Sequence, residues 1–199
     1  MTSDWYYVGS NKIHKTALIN WDVVEMGENN IIGAYSCFGT DSQSIRDKAT
    51  GVISIGDNNI FRESVSVNMP TEWSKLTAIE DNCYLMINSN IAHDCYVESN
   101  CIISNNAAFG GHVYVMENTN IGYSVSIHQF QVIGSYCMLG MGSIVPKGAD
   151  IKCGTLWYGV PARFKKYNEV GLQRNGLAVE DMKGEDERRQ SIIEERSKY

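Results

Sequence analysis

Three of the chain's four histidines, His93, His112 and His128, lie in its central region, and imidazole is the side chain best suited to take up a proton near neutral pH. His93 sits in "INSNIAHDCYV" (residues 87–97) beside Asp94, and a neighbouring carboxylate favours the imidazolium that proton uptake creates. On these residues alone His93 could be a general base, a metal ligand or a polar residue filling a turn. The histidines are 19 and 16 residues apart, and the six cysteines contain no CxxC pair, so no close-set zinc pattern is present and no metal site is expected.

The body that must position these groups is expected to be one domain with room for an appendage: 199 residues bury a sizeable core, and only three prolines interrupt the chain. A formal charge of −6 offers nucleic acid no attractive surface. No stretch approaches the ~18 apolar residues that span a bilayer, and "MTSDWYYVGSNK" has no basic region followed by an apolar run. The expected location is therefore cytoplasmic, with reduced, structural cysteines.

A period of six sets the architecture. Stepping from Ile79 by six gives Leu85, Ile91, Val97, Ile103, Phe109, Val115, Ile121, Ile127, Ile133, Leu139, Val145, Ile151 and Trp157, all apolar. The residue four places after each is mostly small, as at Cys83, Ser89, Cys95, Cys101 and Ala107. Large then small is what a triangular coil requires, with the large side chain in the middle of a prism and the small one in its corner. Asn and Gly are frequent between these positions because tight corners use left-handed backbone conformations. Three hexads make one turn, so Ile91, Phe109 and Ile127 should stack on one face, with Val67 above them if the intervening loop replaces a whole number of hexads. His93, His112 and His128 would then ride one wall on successive rungs about 4.8 Å apart.

The period also runs through Ile13 and Ile19, then Met26, Ile32 and Phe38, and again Ile55, Phe61 and Val67. Residues 39–52 ("GTDSQSIRDKATGV") and 69–78 ("MPTEWSKLTA") are too long and polar for corners and are expected to project as loops, which often shape binding sites. The expected division is a β-solenoid over 1–163 and a helical tail over 164–199, where the period gives way to helix formers.

The stretches "IGDNNIFRESVSV" (55–67), "LMINSNIAHDCYVESNCIISNNAAFGGHVYV" (85–115), "VSIHQFQVIG" (125–134) and "NEVGLQRNGL" (168–177) resemble the hexapeptide-repeat acyltransferases, and within them the UDP-N-acetylglucosamine acyltransferases of lipid A biosynthesis. The resemblance implies an all-β left-handed parallel β-helix, a homotrimer, and transfer of an acyl group from a thioester to a nucleotide-linked amino sugar. The donor it implies is an acyl-carrier-protein phosphopantetheine or a coenzyme A thioester, used as a co-substrate with no tightly bound cofactor. It assigns His93 as general base, Asp94 as its orienting carboxylate and the Gly111 N–H as oxyanion donor. His112, His128 and Gln129 would position the acceptor, while Arg46, Asn168 and Arg174 would contact the nucleotide.

Departures from that family bear on specificity. Asn68 and Asn90 stand where it has histidines, Ser44 replaces an acidic contact, and much of its helical C-terminal domain is missing. The segment "YGVPARF" (158–164) resembles instead the GxPA(K/R) ending of acetyl-CoA-dependent hexapeptide enzymes, implying a cofactor contact at Gly159, Ala162 and Arg163. Met138 and Met141, one coil away, would shorten an acyl pocket. An acetyl-CoA-dependent sugar-nucleotide N-acetyltransferase is the alternative. A γ-carbonic-anhydrase-like metalloenzyme lacks its close-set histidines here, and a non-catalytic ice-binding solenoid would show repeated threonines on one face.

Overall fold

A computed structural model describes residues 4–197 and turns the six-residue period into a three-sided prism. Each coil gives one short strand to each of three sheets: Tyr84–Leu85, Asn90–Ile91 and Tyr96–Val97, then Ile102–Ile103, Ala108–Phe109 and Tyr114–Val115 beside them in the next coil. All pairings between successive coils are parallel, with Tyr84 beside Ile102, Asn90 beside Ala108 and Tyr96 beside Tyr114. Two-residue strands have no stability alone. Stacking supplies it, because each coil pairs its backbone with the next, as where Asn90 N–H donates to Ala107 O and Ala108 N–H to Val125 O.

Val67, Ile91, Phe109, Ile127 and Val145 form one interior column, and each is buried. Removing such a side chain from water contributes about 1.5–3 kcal/mol. The expected small positions are the corners: Cys95 Sγ donates to Gly110 O, Cys101 Sγ to Met116 O and Cys137 Sγ to Lys152 O. All six cysteines are unbridged, and burial pushes the Cys95 thiol up to about 12, so it stays protonated.

Two of the prism's edges matter below. The histidine edge follows the Asn90–Ile91 strand and its neighbours, and carries residues 92–95, 110–113 and 128–131. The glutamate edge follows Tyr96–Val97 and its neighbours, and carries 98–101, 116–119 and 134–137. Both excursions leave at the histidine edge. Val67 and Ile91 are paired 24 residues apart, one hexad more than a coil, so the column stays in register. The loops are shorter than 39–52 and 69–78, since Cys37–Thr40, Val52–Ile55, Ser66–Asn68 and Leu76–Ile79 are strands held by neighbouring coils. The loops lean on each other: Thr50 N–H donates to Pro70 O, and Trp73 Nε1 donates to Asp47 Oδ1 at 3.1 Å.

The tail departs from a helix beginning at 164. Arg163–Tyr167 is a strand antiparallel to Thr155–Tyr158, because the last strand of the first sheet would otherwise expose its unpaired edge. Helices follow at Glu169–Arg174 and Met182–Arg196. The second folds back over the outside of the prism, where Met182 packs against Met116, Cys153 and Leu172. Arg188 forms a two-pronged bond to Glu98 at 2.6 and 2.8 Å, and Arg189 pairs with Asp150 at 2.8 Å. At the other end, Trp5–Val8 folds back antiparallel on Asn11–His14.

Candidate functional site

The histidine edge gathers His93, Asp94, Gly111 and His112 from two adjacent coils. Asp94 and His112 occupy the left-handed corner position, with φ of 61° and 63°, which Asn fills at 82, 88, 100, 106 and 118. Non-glycine residues adopt that conformation at a cost, and asparagine bears it best. Asp94 is fully enclosed and accepts five hydrogen bonds: from His93 Nδ1 at 2.7 Å, from the Thr71 hydroxyl at 2.8 Å and amide at 3.1 Å, and from the hydroxyl and amide of Ser74. Burial alone would raise its pKa, but the bonds from His93, Ser74 and Thr71 outweigh burial and hold the carboxyl well below its ordinary range. An ionised Asp94 fixes the proton of His93 on Nδ1, which leaves Nε2 with a lone pair.

Gly111 lies directly against that ring. A Cβ at this position would sit 2.3 Å from His93 Cε1 and 2.5 Å from Nε2, so only glycine fits. Its amide has no acceptor among the described residues, and the reason is visible one edge away. There, Glu80 accepts from the Ser99 amide and Glu98 from the Glu117 amide, each carboxylate serving the next coil. Ala92 occupies the equivalent place before Gly111 and offers no acceptor.

His112 stands edge-on to His93 with ring centroids 5.2 Å apart, stacks on Phe130 at 4.2 Å and meets Trp73 edge-on at 6.0 Å. Burial lowers its pKa, so it is neutral at pH 7. A small cavity of about 50 Å³ opens beside it, lined by Trp73, Ser74, His112, Phe130 and Arg196. Next to it is a groove of about 540 Å³ that shares Phe130 and Arg196 and reaches Lys147 and Ala149. A further groove of about 450 Å³ continues from Lys147 to Ala162 and Arg163. A larger cavity, about 780 Å³, lies away from the histidines, between Trp157 and Tyr167 of the last two strands and the terminal helix.

His93, Asp94 and His112 place one donor atom each within 4.8 Å of one another, a set that could hold a cation, whereas the sequence suggested none. The fit is poor. Asp94 is already occupied by five protein donors, and its oxygen is 3.6 Å from His112 Nε2. That donor set matches a proton-handling pair better than a metal centre.

The other expected site residues divide. Asn68 and Asn90 meet, with Asn90 Nδ2 donating to Asn68 Oδ1 at 3.3 Å on the sheet before the histidine edge. His128 does not join the other two: its exposed ring donates Nδ1–H to Gln129 O, and Phe130 takes the place on His112. Gln129 is also exposed. Asn168 is occupied structurally, capping the Glu169–Arg174 helix at Gly171 N–H and donating to Tyr136 O. The Arg46 and Arg174 side chains are exposed and make no hydrogen bond or ion pair among the described residues. Met138 lies beside Leu156 and Met141 is exposed, and neither lines the grooves that lead from His112. Gly159 and Ala162 bracket Ile144 by backbone hydrogen bonds.

Residues 77–111, which include the dyad and Gly111, match the family described as bacterial transferase hexapeptide (six repeats). These residues carry that family's hexapeptide repeat, which the six-residue period of the chain continues on both sides. A relative from Synechocystis sp., named as an acyl-[acyl-carrier-protein]–UDP-N-acetylglucosamine O-acyltransferase, is 34% identical over 159 residues, which are 79% of this chain and 57% of the relative. One of the same name from Stutzerimonas stutzeri is 31% identical over 78% of this chain and 60% of itself. The chain thus spans little more than half the length of these curated relatives. A solved UDP-N-acetylglucosamine acyltransferase from Bacteroides fragilis superposes with a TM-score of 0.82 at 29% identity, over 90% of this chain and 69% of that one. The hexapeptide-repeat fold here is a left-handed parallel β-helix.

Sequence reading missed Thr71, Ser74, Trp73, Phe130 and Arg196 in this hexapeptide-repeat protein. Phe130 had a readable signal, as an aromatic at the corner position where asparagine is usual. The others reach the edge through loop and helix docking, which leaves no period.

Proposed function

We propose that this protein transfers an acyl group from a thioester to a hydroxyl or amine of a nucleotide-linked amino sugar, with His93 as general base. The observation that carries the reading is the His93–Asp94 pair facing the uncapped Gly111 amide. His93 Nε2 takes the proton of the acceptor as its oxygen or nitrogen attacks the thioester carbonyl. The carbonyl oxygen gains negative charge and receives the Gly111 N–H. Collapse breaks the carbon–sulfur bond, and the departing thiolate recovers the proton from Nε2. No covalent enzyme intermediate is needed. Neutral His112 and the aromatic rings of Trp73 and Phe130 flank the acceptor.

The relatives' names support acyl carrier protein as donor and UDP-N-acetylglucosamine as acceptor. The grooves running from His112 to Arg163 favour a second arm, a coenzyme A thioester at the GVPAR segment. Arg174 and Asn168 do not reach His93 within one chain, and a homotrimer would bring a neighbour's tail to the edge. That assembly and a cytoplasmic location complete the proposal; among the described residues no helix is long and apolar enough to cross a membrane. The test is thioester consumption by purified protein, with acetyl-CoA and a series of acyl-carrier-protein thioesters against UDP- and dTDP-linked amino sugars. Consumption dependent on acceptor is expected, and none with any pair would end the proposal. Stoichiometric zinc in the active protein would favour metal chemistry instead.

A further inference from the structure

Arg196, in the last turn of the terminal helix, reaches the histidine edge from outside the prism. Its Nη2 donates to the backbone carbonyl of Asp94 at 3.1 Å and to that of His112 at 2.9 Å. These two residues hold the same corner position in adjacent coils, both in the left-handed conformation. The guanidinium lies over the Tyr114 ring, 5.4 Å from its centroid, and burial lowers its pKa. The helix is set in register two turns earlier by Arg188 on Glu98 and Arg189 on Asp150. A planar fork suits this place because one nitrogen can bridge two fixed acceptors while the ring below carries the face of the group.

We propose that Arg196 is a positioning residue: by tying the Asp94 and His112 carbonyls to one guanidinium, it fixes the separation of the two coils at the point where their imidazoles project. Its consequence for rate rests on the acyl-transfer reading, but its effect on the histidines does not. Four groups face the His112 ring electrostatically. Asp94 and Asp47 favour its protonation, while His93 and Arg196 oppose it.

The test pairs Arg196→Ala with Arg196→Lys, using full-length protein whose fold and assembly are checked by circular dichroism and sedimentation. Loss of the guanidinium should lower kcat on the order of 10- to 100-fold, with KM for the acceptor nearly unchanged, because the reacting groups are misplaced. By NMR, His112 should protonate at a higher pH in the alanine variant. Lysine restores the charge but not the fork, so it should return the His112 titration toward wild type while kcat stays low. Wild-type kcat and an unmoved His112 titration in Arg196→Ala would overturn the proposal, as would full recovery of kcat by lysine. If the wild-type protein transfers no acyl group, the acyl-transfer reading fails, and the His93 and His112 resonances of the two variants still decide whether Arg196 holds the corners. The lysine variant carries the test if the alanine variant does not fold.

Discussion

The histidine and glutamate edges use the same coil and the same backbone, yet one is open and the other closed. At the glutamate edge the residue after the apolar step is a carboxylate in two adjacent coils, Glu80 after Ile79 and Glu98 after Val97. Glu80 binds the Tyr96 hydroxyl and the Ser99 amide, while Glu98 binds the Tyr114 hydroxyl, the Glu117 amide and Arg188. Every outward amide named there is capped. At the histidine edge the carboxylate has moved two residues along, to Asp94, and Ala92 stands in its former place. The carboxylate now orients an imidazole instead of capping an amide, and the Gly111 N–H, on the residue packed against that ring, is left without an acceptor among the described residues. Moving one acid within a hexad converts a latch into a reactive corner.

The largest effect expected from disturbing this contrast is that of His93→Ala, which should lower turnover by about 10²–10⁴-fold with assembly intact. Turnover close to wild type would remove the base. Gly111→Ala puts a methyl group inside the His93 ring envelope and should cost on the order of 10²-fold in kcat, with a stability loss of about 1–3 kcal/mol read from urea melts. Ala92→Glu rebuilds the latch on the histidine edge. It should cap the Gly111 amide and lower kcat by on the order of 10²-fold while melting temperature holds or rises; an active Ala92→Glu protein would deny the amide its role. The reciprocal change, Glu98→Ala, should cost about 1–3 kcal/mol, because Tyr114, the Glu117 amide and Arg188 lose their acceptor, and should lower kcat less than Arg196→Ala does, since Arg189 still holds the terminal helix on Asp150.

The smallest expected effect is on acid stability. Asp94 and Glu98 both have folded-state pKa values below their ordinary ones, despite burial, because of hydrogen bonds from His93 and Arg188 respectively and from their neighbours. Their stabilisation is complete above the ordinary carboxylate values of 3.8 and 4.5 and drains away as pH falls below them. His112, lowered by burial, adds a loss that begins as pH falls through its ordinary 6.5. Urea melts across pH should therefore show two descending steps. Asp94→Asn should flatten the lower one, and His112→Gln the upper.

The prism was legible because its period is local: a residue every six places needs no knowledge of distant chain. The His93–Asp94 pair was visible because its two members adjoin in sequence, but its proposed role and that of Gly111, one coil away, came from the family resemblance, since spacing alone does not tell a base from a ligand. His128 was misplaced in the file of imidazoles because periodicity gives the rung but not the rotamer, and its offset within the hexad turns it toward Gln129. Arg163–Tyr167 read as the start of a helical tail, but the unpaired edge of Thr155–Tyr158 recruited it as a strand, tertiary pairing overriding composition. Arg196 could not be read at all, since eighty-four residues separate it from the His112 carbonyl it binds.

Both interruptions of the period emerge at the same edge, above the histidines, while the stack resumes in phase beneath them. Extra chain at that edge costs the prism nothing as long as the strand that follows re-enters in step. Descendants of such a protein could therefore exchange the outer parts of these two surface flaps, and with them the shape of the molecule admitted, as long as Thr71 and Ser74 keep their bonds to Asp94.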